Sequence, residues 1–329
     1  MNICFRLDAN NYIGLGHLKR CLQLALDLKS KLKIRLIFII KENREHFEKI
    51  IKKEGFDYFL IKKNSDDFSQ TKKILQKTNS KVLILDHYYL SLKWEKKIRS
   101  EVEKLIIISD QFRKHFGDIL ILQNFEDKIK KKNVLTGKKY FIIGKEYRKI
   151  RKKNKFFFKK ISILINFGSY DINNLTCRTV NFFLKNYKNI NIKTIVDKSF
   201  KYKKQLKNIE KKNSNLKTYS NLSSLAKITN SSNICIGSGG VHNYERIFLG
   251  KLSYVIMTDK NQKKNINFLN KKKLIIYLGT SENFSFKKIK NNHLDKNFLK
   301  RKQKKLFKFF KNKDVDILSN FIKKQLNAR

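Results

Sequence analysis

The chain has 329 residues, 41% of them hydrophobic, and carries 76 lysines and arginines against 27 acidic residues, a formal net charge of +49. That length suits two domains of ordinary size, each able to bury its own core, and no apolar run reaches the ~20 residues a membrane-spanning helix needs. The charge invites a nucleic-acid reading, yet lysine, asparagine, isoleucine and phenylalanine are all in excess while proline is absent, the profile of an AT-rich coding sequence.

Asn2 to Asp8 reads as a first strand, followed by a turn from Ala9 to Gly16 and a helix from His17. Leu18, Cys21, Leu22, Ala25 and Leu28 mark that helix as one apolar stripe at the 3.6-residue period. A second strand, Ile34 to Ile40, precedes a mixed helix around Arg44 to Glu54. Ser69 to Lys77 predicts another helix, leading to the strand Lys81 to Asp86. Trp94 to Lys104 reads as helical, Leu105 to Asp110 as a strand. Shorter apolar runs at Asp118 to Leu122 and Tyr140 to Ile143 complete this half. Strands alternating with helices predict a parallel sheet covered on both faces.

Lys145 to Lys160 is very basic and shows no sustained apolar period, so the interdomain linker is expected there, with domains over 1–147 and 158–329. The second half restarts with the strand Ile161 to Gly168. A helix (Leu175 to Tyr187), a strand (Ile192 to Asp197), a helix (Leu222 to Thr229) and the strand Ile234 to Ile236 follow. Then come the strand Leu252 to Met257, a helix from Asn261, and the apolar run Leu274 to Leu278. Phe298 to Phe310 and Val315 to Leu326 read as two closing helices. The fold class expected is α/β, two Rossmann-like halves facing a cleft.

Lysines are spread over every expected loop and helix surface, and no RNP, zinc-finger or helix-turn-helix signature is present. No specific nucleic-acid partner and no membrane insertion are therefore expected. The opening Met1-Asn2-Ile3-Cys4-Phe5-Arg6 runs directly into a strand without a signal-peptide pattern. Cys4, Cys21, Cys177 and Cys235 lie far apart in apolar contexts, as buried free thiols in a reducing compartment do. A cytoplasmic monomer is the expectation. No His/Cys/Asp/Glu set has metal-ligand spacing, no cofactor is implied, and no serine stands in a nucleophile-elbow sequence.

Three stretches can carry chemistry. In Gly14-Leu15-Gly16-His17-Leu18-Lys19-Arg20, the glycines let backbone approach a ligand closely. His17 falls on the first helical turn, where the positive dipole end disfavours imidazolium and suits a general base for a water. Asp8, at the end of the first strand, would orient His17 or hold a substrate hydroxyl, and Arg20 would meet an anionic group. The alternative for His17 is a solvated helix residue. Asp86-His87-Tyr88 follows a strand at the same carboxyl edge, with helix capping by Asp86 and an exposed His87 as the simpler reading. His46, His115 and His293 sit in charged or loop contexts and read as surface or structural.

In the second half, Gly237-Ser238-Gly239-Gly240-Val241-His242-Asn243-Tyr244-Glu245-Arg246 reads as strand, glycine turn and helix, which aims free N–H groups at an anion. Glu245, one turn in, is placed where a carboxylate can accept from a ribose diol. An ordinary βα turn with glycines for tight packing is the alternative. Gly168-Ser169-Tyr170-Asp171 is a second phosphate or sugar contact loop, and Asn261-Gln262 offers amides at the same sheet edge, with capping as the simpler role.

In order along the chain, these segments resemble one family. Phe5-Arg6-Leu7-Asp8 through Ile13-Gly14-Leu15-Gly16-His17-Leu18-Lys19-Arg20-Cys21 is similar to the start of the nucleotide-sugar hydrolases of the pseudaminic-acid pathway. Those enzymes release UDP from UDP-2,4-diacetamido-2,4,6-trideoxy-β-L-altropyranose. Asp86-His87-Tyr88, Asp118 to Asn124, Gly137 to Tyr140, Gly239-Gly240 through Tyr244-Glu245-Arg246, Leu249-Gly250 and Asn261-Gln262 follow the same pattern, from Met1 to about Leu278. The chain departs from it at Gly168-Ser169 (usually two glycines), Tyr244 (usually tryptophan), Ser109-Asp110 (commonly Asp-Asp) and Gly144 (usually arginine). The resemblance implies a GT-B-like hydrolase that binds a UDP-sugar and feeds a nonulosonic-acid synthase for surface glycans such as those of flagellin. His17 would be the base. Asp8, Gly14, Gly16, Arg20, His87, Tyr88, Gly168, Ser169 and Asp171 would contact the sugar side, and Gly239, Gly240, Val241, Glu245, Asn261 and Gln262 the nucleotide. A GT-B glycosyltransferase using the same UDP site is the alternative.

Overall fold

A computed structural model describes residues 1–9, 15–42, 46–110, 113–123, 133–153, 160–168, 171–197, 199–220, 222 and 224–327. The chain divides into two compact units, Met1–Gly144 with Lys313–Arg329, and Lys145–Asn312.

The first unit is built on strands β1 (Asn2–Leu7), β2 (Arg35–Lys41), β3 (Asp57–Ile61), β4 (Ser80–Asp86), β5 (Lys104–Ser109), β6 (Ile119–Leu122) and β7 (Val134–Leu135). They pair in the order β3-β2-β1-β4-β5-β6-β7, every described pair parallel. Residues 3–7 and 82–86 are continuously buried, as expected of strands covered on both faces. Helix α1 (Gly16–Lys29) lays its Leu18, Cys21, Leu22, Ala25 and Leu28 stripe into a core with Phe5, Phe38 and Ile84. Helices α2 (Glu48–Lys53), α3 (Asp67–Lys77) and α4 (Leu92–Arg99) make the other crossovers. Trp94 and Ile98 of α4 pack with Cys4, Ile37 and Leu83 on the opposite sheet face.

The second unit opens with α5 (Lys145–Lys152). It continues through β8 (Ile161–Asn166), α6 (Leu175–Asn186), β9 (Ile190–Ile195), α7 (Lys203–Lys211), β10 (Leu216–Tyr219) and α8 (Ala226–Asn230). Then follow β11 (Ile234–Ser238), α9 (His242–Phe248), β12 (Leu252–Met257), α10 (Lys263–Lys271), β13 (Ile276–Thr280) and α11 (Lys296–Phe307). Its strands run parallel in the order β10-β9-β8-β11-β12-β13. Both sheets therefore reverse their winding once, between β1 and β4 and between β8 and β11. At such a switch point the connections leave in opposite directions and open a crevice at the strands' carboxyl ends, where ligands of open α/β sheets bind.

Two expectations are corrected. Where the basic composition predicts a linker, residues 145–152 form α5. Its buried residues are Tyr147 and Arg151, four apart, so the buried stripe is an aromatic and an arginine and leaves no apolar period. The Arg151 guanidinium lies over Phe307 and donates to the carbonyls of Phe248, Phe307 and Phe310. Second, the domain expected over 158–329 ends early: the last helix, α12 (Ile317–Asn327), returns to the first unit. Leu318, Ile322 and Leu326 join the α1 core, Lys31 Nζ donates to Ser319 Oγ and Asn320 Oδ1 at 2.8 Å each, and Lys104 Nζ donates to the Gln325 carbonyl at 2.6 Å. The apolar run Tyr140 to Ile143 follows from a 3-10 turn over Lys138–Tyr140 into irregular backbone. No described helix is long and apolar enough to cross a membrane.

Candidate active site

Leu7 of β1 pairs with Asp86 of β4, so the first switch point brings Asp8 and the Asp86-His87-Tyr88 motif to one edge. His17, one residue into α1, is buried there at 2% exposure. Its Nδ1 lies 2.7 Å from Asp86 Oδ1 and 3.1 Å from the Asp86 carbonyl. Two oxygen acceptors at one ring nitrogen assign the proton to Nδ1, which leaves a lone pair on Nε2. That Nε2 is buried and has no partner among the described residues.

Asp86 is fully buried and caps no helix. Burial alone would raise its carboxyl, but Arg20 and then His17 outweigh it and hold the group well below the usual carboxylate range. Arg20 grips it in a bidentate pair, Nε to Oδ2 and Nη2 to Oδ1, each 2.5 Å, and reaches Asp110 Oδ2 through Nη1 at 3.1 Å. The guanidinium predicted to meet a ligand anion is thus engaged by two carboxylates of its own chain. Burial opposes its charge, yet Asp86 and Asp110 raise it well above the usual arginine value. The Cys21 thiol donates to Asp86 Oδ2 at 3.4 Å.

Asp8 does not touch His17; the orienting role falls to Asp86. Asp8 instead pairs with Arg6 (2.5 Å), accepts from the Lys41 N–H (3.0 Å) and meets His87 Nε2 at 2.7 Å. Burial opposes its ionisation, but Arg6 and then His87 hold its carboxyl well below the ordinary range. His87 is far from exposed: its side chain is 5% accessible. Its Nδ1 accepts from the N–H groups of Tyr89 (3.0 Å) and Leu90 (3.1 Å), so its single proton sits on Nε2 and points at Asp8. Burial lowers its pKa despite Asp8. The two histidines of this edge are therefore opposite tautomers: His87 is saturated on both nitrogens and His17 has one nitrogen open.

Tyr88 closes the cluster. Its ring stands edge-on to the His17 imidazole, with centroids 4.2 Å apart, and its hydroxyl donates to Asp110 Oδ2 at 2.9 Å. Asp110 Oδ1 is buried without a partner among the described residues. An unpaired buried acceptor costs on the order of 1–3 kcal/mol, so two of them at one sheet edge are unusual. Behind Asp110, fully buried Glu95 collects Arg113 (2.7 Å), His115 Nδ1 (2.9 Å) and the Phe116 N–H (2.7 Å), and His115 Nε2 meets Ser109 Oγ at 3.0 Å. The Glu95 carboxyl lies below its usual range: burial opposes this, while His115 and the Phe116 N–H outweigh it. Asp110 stands at a strand end as Asp8 and Asp86 do, but the bracing network behind it carries no local sequence signal. They are joined only by the fold. Among the described residues no atom outside its immediate neighbours stands within 4 Å of where a Cβ on Gly16 would lie; Gly14 lies outside the described residues.

At the second switch point Asn166 of β8 pairs with Gly237 of β11. A Cβ at Gly237 would collide with the Asn166 carbonyl, which explains that glycine by packing. Gly239 is also tight, against Ile266 and Gln262, and its N–H already donates to Gln262 Oε1 at 3.0 Å. Gln262 Nε2 donates to Thr258 Oγ1 at 3.1 Å, so this side chain fastens two loops together. Asn261 is exposed, and its N–H donates to Asp259 Oδ1 at 2.9 Å. Gly240 stands in open space, and the N–H groups of Gly240 and Val241 have no partner among the described residues. Glu245 Oε2 meets His242 Nδ1 at 2.6 Å, and the Tyr147 hydroxyl lies beside Glu245 and Thr229.

The Gly168 loop divides. Gly168 adopts φ +87° and donates to Asn166 Oδ1 at 2.8 Å. Asp171 accepts from the N–H groups of Leu175 and Thr176 at 2.8 Å each. Its carboxylate caps α6 and is not open to a sugar. Ser169 lies outside the described residues. Among the described residues no group of three or more His, Cys, Asp or Glu side chains is arranged to hold a metal ion. A concavity lined by Met1, Asn2, Asn79, Lys81, Glu103 and Leu326 sits at the amino edge of the first sheet, the end remote from His17.

With this geometry in hand, the chain compares with known proteins as follows. No family model matches it. It is 28% identical over 281 residues to the UDP-2,4-diacetamido-2,4,6-trideoxy-β-L-altropyranose hydrolase of Campylobacter jejuni, covering 83% of this chain and 97% of that protein. It is also 28% identical over 284 residues to an uncharacterised protein of Methanocaldococcus jannaschii, covering 80% of this chain but 57% of that longer relative. Among solved structures, the UDP-GlcNAc 2-epimerase of Neisseria meningitidis, bound to UDP-GlcNAc, superposes with a TM-score of 0.70 over 100% of both chains at 11% identity. The paired parallel sheets with their helices are the two-domain α/β fold of the GT-B type.

Proposed function

We propose that the chain is a nucleotide-sugar hydrolase that releases UDP from a UDP-linked 2,4-diacetamido-2,4,6-trideoxy sugar, in the cytoplasm, as a step of pseudaminic-acid biosynthesis. The observation that carries the reading is His17: Nδ1 is held by ionised Asp86, and Nε2 is buried with a free lone pair. An imidazole fixed in that tautomer by a carboxylate is arranged to take a proton from a positioned water. The similarity to the Campylobacter jejuni hydrolase supports the choice of substrate.

In the proposed reaction, Nε2 removes one proton from water as its oxygen attacks the anomeric carbon from the face opposite UDP. The anomeric C–O bond breaks and its electron pair leaves with the β-phosphate, inverting the configuration. The leaving diphosphate is stable as an anion, so no strong general acid is required. Asp86 stabilises the imidazolium that forms, as the carboxylate of a catalytic triad does. The free N–H groups of Gly240 and Val241 would hold the diphosphate, with Gly239 excluded because Gln262 has taken its N–H. Glu245 would accept from the ribose diol, and Asn261 would read the nucleotide. Gly16 and Gly168 would allow close backbone approach on the sugar side, while Asp8, His87 and Arg20 hold the walls of that side in shape.

The test is to incubate the purified protein with the UDP-linked sugar and follow UDP and the free sugar by NMR. UDP and a sugar of inverted anomeric configuration are expected without any acceptor, and His17→Ala abolishes release while UDP binding remains. Release at the wild-type rate by that variant removes His17 as the base. Release that depends on a glycan acceptor makes the protein a transferase.

A further inference from the structure

Two acceptors at the carboxyl edge of the first sheet lack partners among the described residues: His17 Nε2 and Asp110 Oδ1. Tyr88 links them, its ring against the imidazole and its hydroxyl on Asp110. The first acceptor is accounted for by the water of the proposed reaction. The second is not.

The Asp110 carboxylate is used on one side. Oδ2 accepts from both Tyr88 (2.9 Å) and Arg20 (3.1 Å), and Oδ1 accepts nothing. Neither partner can change roles. Arginine has no acceptor to offer, and burial, then Asp110, push the Tyr88 hydroxyl far above the usual phenol range and keep it a donor. The carboxylate is also braced from behind, because Ser109 is tied through His115 to buried Glu95. Oδ1 is therefore a fixed acceptor that waits for a donor. A site of this kind discriminates sharply, since a ligand lacking the donor leaves the buried Oδ1 without a hydrogen bond.

We propose that Asp110 is a specificity-determining residue that reads a hydrogen-bond donor, an amide N–H or a hydroxyl, on the sugar bound beside His17. Its placement next to the sugar rests on the hydrolase reading. The donor requirement rests on the Asp110 geometry alone.

Asp110→Asn is the informative change. Tyr88 and Arg20 are both donors, so the amide oxygen must face them, and the NH2 group then replaces the acceptor at the Oδ1 position. Binding is measured by calorimetry with non-hydrolysable phosphonate analogues of UDP-sugars that carry an acetamido group, a hydroxyl or hydrogen at each ring position in turn. UDP release from the matching hydrolysable sugars is measured in parallel, and the melting temperature is recorded to confirm folding. The wild type is expected to prefer a donor over hydrogen at one ring position by roughly 10- to 100-fold. In Asp110→Asn that ratio is expected to fall to near unity while discrimination at the other positions persists. The acetamido and hydroxyl arms identify which donor is read.

Equal weakening of every sugar by Asp110→Asn overturns the inference and reduces Asp110 to a structural residue. Intact discrimination by the wild type without UDP release from any sugar overturns the hydrolase reading and leaves the role of Asp110 standing. Failure to bind any UDP-sugar overturns both.

Discussion

The two switch points of this molecule are built from opposite materials. At the first, β1 and β4 end among ionisable side chains: buried Arg6, His17, Arg20 and Asp86 and half-buried Asp8 are clustered there. At the second, β8 and β11 end in Asn166, Gly237, Gly239 and Gly240, where the N–H groups of Gly240 and Val241 have no partner among the described residues and side chains such as Gln262 and Arg246 hold the loops. Proton transfer needs a group whose protonation differs from its neighbours, which a backbone cannot offer. Gripping a diphosphate needs donors that never lose their protons, which backbone N–H groups supply. On the proposed reading, the same topology would serve a reactive edge in one unit and a holding edge in the other.

The largest expected break in this comparison is Asp86→Asn. Either amide orientation sets an NH2 group against a donor of Arg20 or His17, and the base loses the carboxylate that fixes its tautomer. Turnover is expected to fall by about 10³ or more, as for the equivalent change in a catalytic triad. Stopped-flow UDP release, with the urea midpoint measured alongside, separates this from loss of fold.

Acid should break the first unit before the second. Asp8 and Asp86 have folded pKa values depressed below their unfolded ones. Their stabilisation is therefore present above the unfolded carboxylate value of about 3.9 and is lost as pH falls through the folded values. Trp94, the single tryptophan, lies in the first unit, so its fluorescence reports that unit alone. Its transition is expected to begin near pH 4 and to precede the bulk loss of far-UV circular dichroism.

Gly240→Ala sharpens the holding edge. No described residue beyond its chain neighbours stands within 4 Å of the added Cβ, so the melting temperature should not move, while UDP affinity measured by calorimetry should drop about tenfold, or ~1.4 kcal/mol, if the backbone is approached closely. Unchanged affinity would show that the diphosphate lies elsewhere. The smallest effect is expected from Gln262→Ala, which frees the Gly239 N–H and unties Thr258. A loss of about 1 kcal/mol in stability, read from the urea midpoint, would mark it as a loop fastener.

Much of the architecture is legible in sequence because continuous apolar runs and glycine turns are local signals. The α1 stripe, the central strands and the Gly237 to Gly240 turn follow directly. The edge strands β3 and β10 are not visible, because Asp57-Tyr58-Phe59-Leu60 and Leu216-Lys217-Thr218-Tyr219 are only partly buried and mix polar with apolar residues. His17 is legible from its glycines and its place at a helix start. Its partner is not, since Asp86 lies 69 positions away and Asp8, nearer in sequence, is equally well placed at a strand end. Arg20 and Asp171 show the converse. Their residue types suggest ligand contact, yet each is satisfied within the chain, the first by two carboxylates and the second by a helix start. The identity of a polar residue is local information, whereas its partner is settled by the fold.

The return of α12 to the first unit has a consequence for how the protein is made. Leu318, Ile322 and Leu326 complete a core whose other members come from residues 3–142. A chain emerging amino end first therefore leaves the reactive edge's own unit unfinished while every residue of the second, from Lys145 to Asn312, is already available to fold. The half synthesised first is the last to be sealed. Until α12 has emerged, its core remains open and waits on a segment that follows the whole second unit.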